Sequence, residues 1–371
     1  MRLFSFRISI LFQLVVWLSL VCQQVQASFS YDLRTTSGSN LLSIQNGPAG
    51  GIATDVNLEY LGSYSWDDRF TLYGLSSLKS RNYLTPSMEK NGRFGLISQF
   101  LGGQYIGDEL WEISTWVGGA ISDGRDIAFS PTDEGGRNVH SVNSKFQAQI
   151  RKSWSESSLA ATIMQSKIDP STSTSDEKGN IFVDDRQDLS GLLAFDVTFE
   201  RKYKLNVKLG TLQKKYGHRF SRYTDGSIIL NSEPQQETET ELSTALAVKE
   251  GILEIEPLLS VTRNKDRIYG ALDSNRLKLG FSSRIDLQSL LLFIQAYTSR
   301  TDFSNFSSTA LLSPSSGDKR ADTDREFEMR LEKSIGKNVL YLGLSRLAKD
   351  SNYQPPVISE NAVFIGFKGV N

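Results

Sequence analysis

Side chains able to do acid–base or nucleophilic chemistry are scarce. The 371-residue chain has two histidines, His140 and His218, and one cysteine, Cys22. His218 stands close to Arg219, Ser221 and Asp225, and a histidine beside a hydroxyl and a carboxylate is the least that a base-activated nucleophile needs. Nothing in the spacing fixes their geometry. A polar surface loop carries the same residues without catalysis, so the reading is no enzyme and no catalytic residue. The acidic clusters at Asp184-Asp185 and from Asp318 to Asp324 offer oxygen ligands, but their spacing matches no metal loop. They read as solvated loops, with no metal and no cofactor. The glycine-rich run from Asn46 to Thr54 lacks the Lys-Ser/Thr ending of a phosphate-binding loop, and no helical pattern follows it. The most basic and aromatic loop is Lys214, Lys215, Tyr216, His218, Arg219 and Arg222. Its chemistry suits an anionic glycan, a lipopolysaccharide phosphate or an anionic solute, and folded inward it would bias a pore toward anions. As an outward loop it only balances charge.

The ends and the composition bound what holds these residues. Arg2 and Arg7 precede an apolar run from Ile8 to Val21, followed by Val25-Gln26-Ala27. That order is a secretory signal peptide cleaved after Ala27, leaving one domain over 28–371. Cys22 would leave with it, so neither a disulfide framework nor thiolate chemistry is expected, and Val21 argues against a lipidated Cys22. Lys plus Arg number 41 against 42 Asp plus Glu, which gives no electrostatic case for nucleic acid. No later apolar stretch reaches the roughly 20 residues of a helical span.

Alternation supplies the elements. Tyr203, Leu205, Val207 and Leu209 oppose Lys204, Asn206 and Lys208; Phe327, Met329, Leu331, Lys333 and Ile335 oppose Glu326, Glu328, Arg330, Glu332 and Ser334. One face suits lipid and the other water, a pattern a helix would scatter around its circumference. Such segments are expected at 29–35, 54–66, 70–79, 92–101, 110–121, 142–152, 158–168, 188–199, 203–212, 238–248, 252–262, 276–285, 289–299, 325–335, 339–348 and 361–370. Short connections alternate with long polar ones, as in an antiparallel barrel with tight periplasmic turns and long outer loops. The expected fold is therefore all-β: a transmembrane antiparallel up-and-down barrel of about sixteen strands. A fourteen-strand version, with everything up to Trp66 as a plug or arm, satisfies the same parity. Trp66, Phe70, Trp111, Trp154, Tyr203 and Tyr341 near the tight turns, with Tyr83, Phe303 and Tyr353 toward the long loops, suggest two aromatic girdles.

The segment TDREFEMRLEKSIGKNVLYLGLSRLAKDSNY (323–353), with ENAVFIGFKGV (360–370), resembles the terminal hairpin and closing strand of bacterial outer-membrane barrel proteins. The resemblance covers less than a fifth of the chain. It implies a Gram-negative outer-membrane location, reached through the periplasm with its chaperones and the barrel assembly machinery, among outer-membrane lipid and lipopolysaccharide. It selects no substrate. Closing strands of this class usually finish on an aromatic residue, whereas here Gly369-Val370-Asn371 end the chain, with Phe364 and Phe367 the nearest substitutes.

The water-facing set decides function. It carries Asp55, Glu59, Glu112, Asp196, Glu254, Glu256, Glu326, Glu328 and Glu332 against Lys145, Arg151, Lys204, Lys208, Arg276, Lys278, Arg284 and Arg330. Charges of both signs need water or partners, and a sixteen-strand barrel is wide enough for an aqueous channel. The first expectation is a porin-like channel for small hydrophilic solutes. Its lumen candidates are Glu254, Glu256, Lys204, Lys208, Arg276, Lys278, Glu326, Glu328 and Arg330, with Lys214, Lys215, Arg219 and Arg222 as loop ligand candidates. The alternative is a non-conducting barrel serving polymer export, assembly or surface attachment, its charges paired across a blocked lumen.

Overall fold

The computed structural model describes residues 25–39, 51–84, 93–126, 137–170, 185–220, 233–268, 270, 272–307, 319–351 and 358–370. Its strands are β1 Val25–Ser39, β2 Gly51–Ser65, β3 Phe70–Tyr83, β4 Arg93–Ile106, β5 Trp111–Asp126, β6 Arg137–Ser153, β7 Ser157–Pro170 and β8 Arg186–Phe199. They continue as β9 Tyr203–Phe220, β10 Pro234–Glu250, β11 Leu253–Asp266, β12 Ser274–Asp286, β13 Leu290–Ser307, β14 Lys319–Ile335, β15 Asn338–Ser351 and β16 Ile358–Val370. Each pairs antiparallel with its sequence neighbours, and β1 closes on β16 from Ser30↔Val370 to Ser39↔Asn361. A closed ring leaves no strand edge unpaired, which is what a backbone without water requires. The fourteen-strand version is thereby overturned: β1 and β2 belong to the wall. Residues 1–24 of the expected signal peptide lie outside the described residues, and Val25–Ala27 begin β1.

Followed once round, the register advances by about 20 residues, which gives sixteen strands a tilt of about 40° and a backbone diameter of roughly 30 Å. The tight turns gather at one end, with both barrel termini. At Glu200-Arg201 the backbone takes positive φ of 50° and 57°, which turns the chain so that the Lys202 N–H donates back to the Phe199 carbonyl at 3.1 Å. Lys202 leaves that turn to bond Glu250 at 3.0 Å, and this hydrogen bond raises its ammonium above the ordinary lysine range. The connection expected at Gly102 to Glu109 is shorter, because β4 runs on to Ile106 and a single 3-10 turn, Asp108–Leu110, follows.

The outer face is the apolar one: Leu209, Leu242, Val261, Leu277 and Ile163 are exposed there, with no protein packed against them. Around the tight-turn end Trp66, Tyr105, Trp111, Trp154 and Tyr203 are exposed on that face, as one girdle requires. Tyr341 and Phe303 leave the girdles, because they pair with the inward Glu332 and Ser274 and so face the lumen. Tyr353 lies outside the described residues.

Inward aromatics share a device. Trp116 pairs with Gly102, Phe100 with Gly118, Tyr297 with Gly280, Phe364 with Gly343 and Tyr341 with Gly366, each ring lying over the glycine across from it. A β-carbon on Gly102 would fall 2.6 Å from the Trp116 ring, so only glycine lets that ring lie flat. A ring lying flat on the wall takes less of the lumen than one standing out from it.

Candidate functional site

Directly paired residues share a face, so the register fixes which side chains point into the barrel. All seventeen charged residues assigned by alternation to the water-facing set fall on the inner face, for example Glu112↔Arg151, Glu254↔Arg284, Glu256↔Ser282 and Arg330↔Gly343. Lys204 and Lys208 project inward from β9 opposite Thr198 and Ala194, exposed and without an ion pair among the described residues. Glu256, Arg276, Arg284 and Glu326 are also exposed on the inner face. Inner charges that remain exposed mean that the described residues form no packed core inside the ring.

One seam is more tightly knit. Arg330 Nη1 donates to Glu328 Oε1 at 3.2 Å, its Nε stands 2.7 Å from Glu332 Oε1, and Lys368 Nζ donates to that same oxygen at 2.8 Å. The Arg330 guanidinium lies 5.0 Å from the Phe293 centroid, and Tyr341 donates to Asp32 across the closing strand. Arg34 sits 3.6 Å over the Phe364 ring. Beside this seam a cavity of about 330 Å³ opens toward the tight turns, lined by Glu254, Glu256, Arg284, Phe293, Arg330 and Lys368. A second, of about 300 Å³, lies toward the loops between Tyr216, Glu237, Glu239, Arg276, Phe303 and Arg320. Arg276 Nε donates to Thr301 Oγ1 at 3.2 Å, and Lys278 Nζ lies 4.4 Å from the Tyr297 ring centroid, with Glu326 paired opposite Tyr297.

From Lys214 to Arg219 the basic stretch is strand and not loop. Lys214, Lys215, His218 and Arg219 belong to β9, held in ladders by Asp188↔Lys214 and Glu237↔Lys214. Lys214 faces inward and donates to Glu239 at 2.6 Å, with Asp188 and Glu237 beside it, so its charge is balanced locally. Lys215 faces outward. Arg222, Ser221 and Asp225 lie outside the described residues, as does Asp184; the side chains of His140, His218 and Arg219 do too, though His140 lies in β6 and not before it. The stretch after Asp318 is strand β14, where Asp322 pairs with Arg320 at 2.6 Å. Gly51 to Thr54 open β2. Among the described residues no three acidic or histidine side chains gather as a metal site.

Several inner charges went unread in the sequence: Asp32, Arg34, Lys79, Arg81, Arg186, Asp188, Glu237, Glu239, Glu241 and Lys368. The Glu237-Thr-Glu-Thr-Glu241 alternation was itself a strand signal; its polar outer face hid it, because both sets are hydrophilic there.

No family model matches the chain, and no curated protein matches its sequence. The fold is similar to OmpT, an outer membrane protein of Vibrio cholerae, at 10% identity over 95% of this chain and 99% of that one, with a TM-score of 0.53. It is similar to OccK1 (OpdK) of Pseudomonas aeruginosa at 10% identity over 93% and 99%, with a TM-score of 0.51, and at the same values to OpdK solved with vanillate. At such identities the likeness is one of fold: this chain has the architecture of the outer-membrane β-barrels.

Proposed function

We propose that the protein is an outer-membrane channel of the porin type for small hydrophilic solutes, exported with cleavage after Ala27 and inserted by the barrel assembly machinery. The observation that carries this reading is the inner face: exposed, unpaired charges around a lumen that the described residues leave unfilled. A wall meant to be sealed would pair or bury them. A barrel of similar fold holding vanillate, a small carboxylate, is in keeping with it.

The lumen has a direction as well as a bore. Lys79 on β3, Lys145 on β6 and Lys208 on β9 face inward without ion pairs among the described residues. Half a turn from β6 lies β14, with Glu326, Glu328 and Glu332, and β10 and β11 add Glu241, Glu254 and Glu256. The first wall thus carries lysines with few carboxylates, whereas the other holds most of the inner carboxylates with Arg276, Lys278 and Arg284 of β12 set among them, an asymmetry that would orient a solute carrying both charges and tune ion preference.

Single-channel recording of the refolded protein in a planar bilayer tests the reading. Discrete conductance steps are expected; a tight seal across voltage and salt conditions would sink it and favour a non-conducting barrel.

A further inference from the structure

We propose that the outer face of β9, β10 and β11, just above the apolar belt, docks the phosphorylated headgroup of an outer-leaflet glycolipid. The proposal rests on membrane insertion as read above, and not on conduction. Across these three strands the row Leu209–Leu242–Val261 is apolar. The next outward row is Thr211–Thr240–Arg263, then Gln213–Thr238–Lys265. A last row joins Lys215 to Gln236, whose carbonyl accepts from the Arg267 backbone N–H at 2.8 Å. These rows hold four cations and no carboxylate.

Lys215, Arg263, Lys265 and Arg267 are exposed, and none makes an ion pair among the described residues; the Arg267 Nε donates to Thr238 Oγ1 at 2.7 Å. Elsewhere on the outer face, three cations beyond the belt have a carboxylate close by, and Arg346, which has none, stands alone between Phe327 and Asn361. Lys167 has Asp169 at 3.4 Å, Arg300 has Asp302 at 2.9 Å and Arg325 has Asp350 at 2.9 Å. The nearest outward carboxylates lie off these three strands: Asp302, in the row of Arg263, is held by Arg300; Asp273, two residues before outward Asn275, accepts from the Asp266 backbone N–H at 2.8 Å; and Asp185, just before β8, reaches over Gly217.

Four free cations interleaved with hydroxyl and amide donors form a surface for phosphate oxygens, with arginine able to take them two at a time. Lys265 stands about 10 Å above the apolar row, from the strand rise and tilt, which is headgroup depth. The loop end of the barrel faces the outer leaflet in the proposed orientation, so the phosphates on offer there are those of its glycolipid. A soluble phosphate would gain nothing from the apolar row beneath, whereas a lipid places acyl chains against it.

The test uses the full refolded chain in neutral detergent and native mass spectrometry, with bis-phosphorylated lipid A and its dephosphorylated form as probes. The wild type should retain the phosphorylated lipid preferentially. The variant K215Q/R263Q/K265Q/R267Q should bind it at least about tenfold more weakly, as loss of several charge-assisted bonds implies, while Arg300→Gln should not change. Heat-modifiable migration reports whether the fourfold variant folds, and Lys265→Gln alone, expected to weaken binding less, replaces it otherwise. Equal retention of the two lipids by the wild type, or undiminished binding by the folded variants, overturns the proposal. A wild type that binds the lipid yet conducts nothing would sink the channel reading and leave this one standing.

Discussion

At the scale of residues, neighbouring positions on one strand have opposite obligations, and that makes the face assignment testable. Val207 points outward between Phe195 and Thr244, while Lys208 points into the lumen between Ala194 and Ser243. Val207→Arg should impair assembly, because a cation facing lipid near the midplane costs about 2–4 kcal/mol. Lys208→Glu should fold normally and move the reversal potential in a salt gradient toward cations. Equal tolerance of both changes, in migration and in selectivity, would contradict the faces. The adjacent glycines Gly102 and Gly103 make a second pair. A β-carbon on inward Gly102 meets the Trp116 ring, which is itself stacked on Tyr73 at 5.6 Å, whereas one on outward Gly103 finds its nearest atom, in Leu72, at 3.6 Å. Gly102→Ala should therefore cost about 1–3 kcal/mol as the stacked rings are forced off the wall. Gly103→Ala should be close to neutral in the same denaturant titration, and a reversed order would mean that the ring does not rest on Gly102.

At the scale of elements, alternation located all sixteen strands, and it did so best at the tight turns. There the expected ends of β3, β8, β9 and β14 coincide with the observed Phe70, Phe199, Tyr203 and Ile335. Toward the loops the expectation fell short: β9 runs to Phe220 and not 212, β13 to Ser307 and not 299, and β14 begins at Lys319 and not 325. Beyond the belt the outer residues are Thr211, Gln213, Lys215, Arg300 and Asp302, so both faces are polar and the period of two vanishes from hydropathy while the hydrogen-bond ladder continues. That is also why Lys214 read as a loop ligand and proves to be a strand residue among carboxylates. The lumen charges were legible because they interrupt apolar residues; the pairing among them was not, since it depends on the stagger between strands. One element carries its own irregularity. The β10–β11 ladder runs from Glu237↔Asp266 to Ala245↔Leu258 and resumes at Val248↔Ile255, and the gap falls at Pro257, which has no N–H to give. Pro257 is exposed on the outer face, so valine has room there. Pro257→Val should restore the bond and add about 0.5–1.5 kcal/mol of stability. Slower amide exchange in β11 would register it, and unchanged or faster exchange would show that the gap is not caused by the proline.

At the scale of the whole molecule, closure joins the ends of the sequence. β1 pairs with β16 and β2 at once, and on the inner side Arg34 covers Phe364 while Asp32 accepts from Tyr341 two strands away. A plug or arm made of the first two segments would contribute none of this, and its removal would leave a wall that closes on its own. The ring argues otherwise. Without residues 28–66, β3 would lose the partner that holds it from Ala53↔Tyr83 to Ser65↔Thr71, and β16 the partner that holds it from Ser30↔Val370 to Ser39↔Asn361. Two unpaired edges would then face lipid, where each unsatisfied backbone group costs several kcal/mol. Rejoining β3 to β16 would have to form a new register across strands whose inward residues, Tyr73, Lys79 and Arg81 against Phe364 and Lys368, were not matched to one another. The shortened chain is therefore expected to lose both heat-modifiable migration and protease resistance in the membrane fraction. A truncated barrel that kept both properties would show that closure does not depend on β1 and β2, and that sixteen strands are a surplus over what the wall needs.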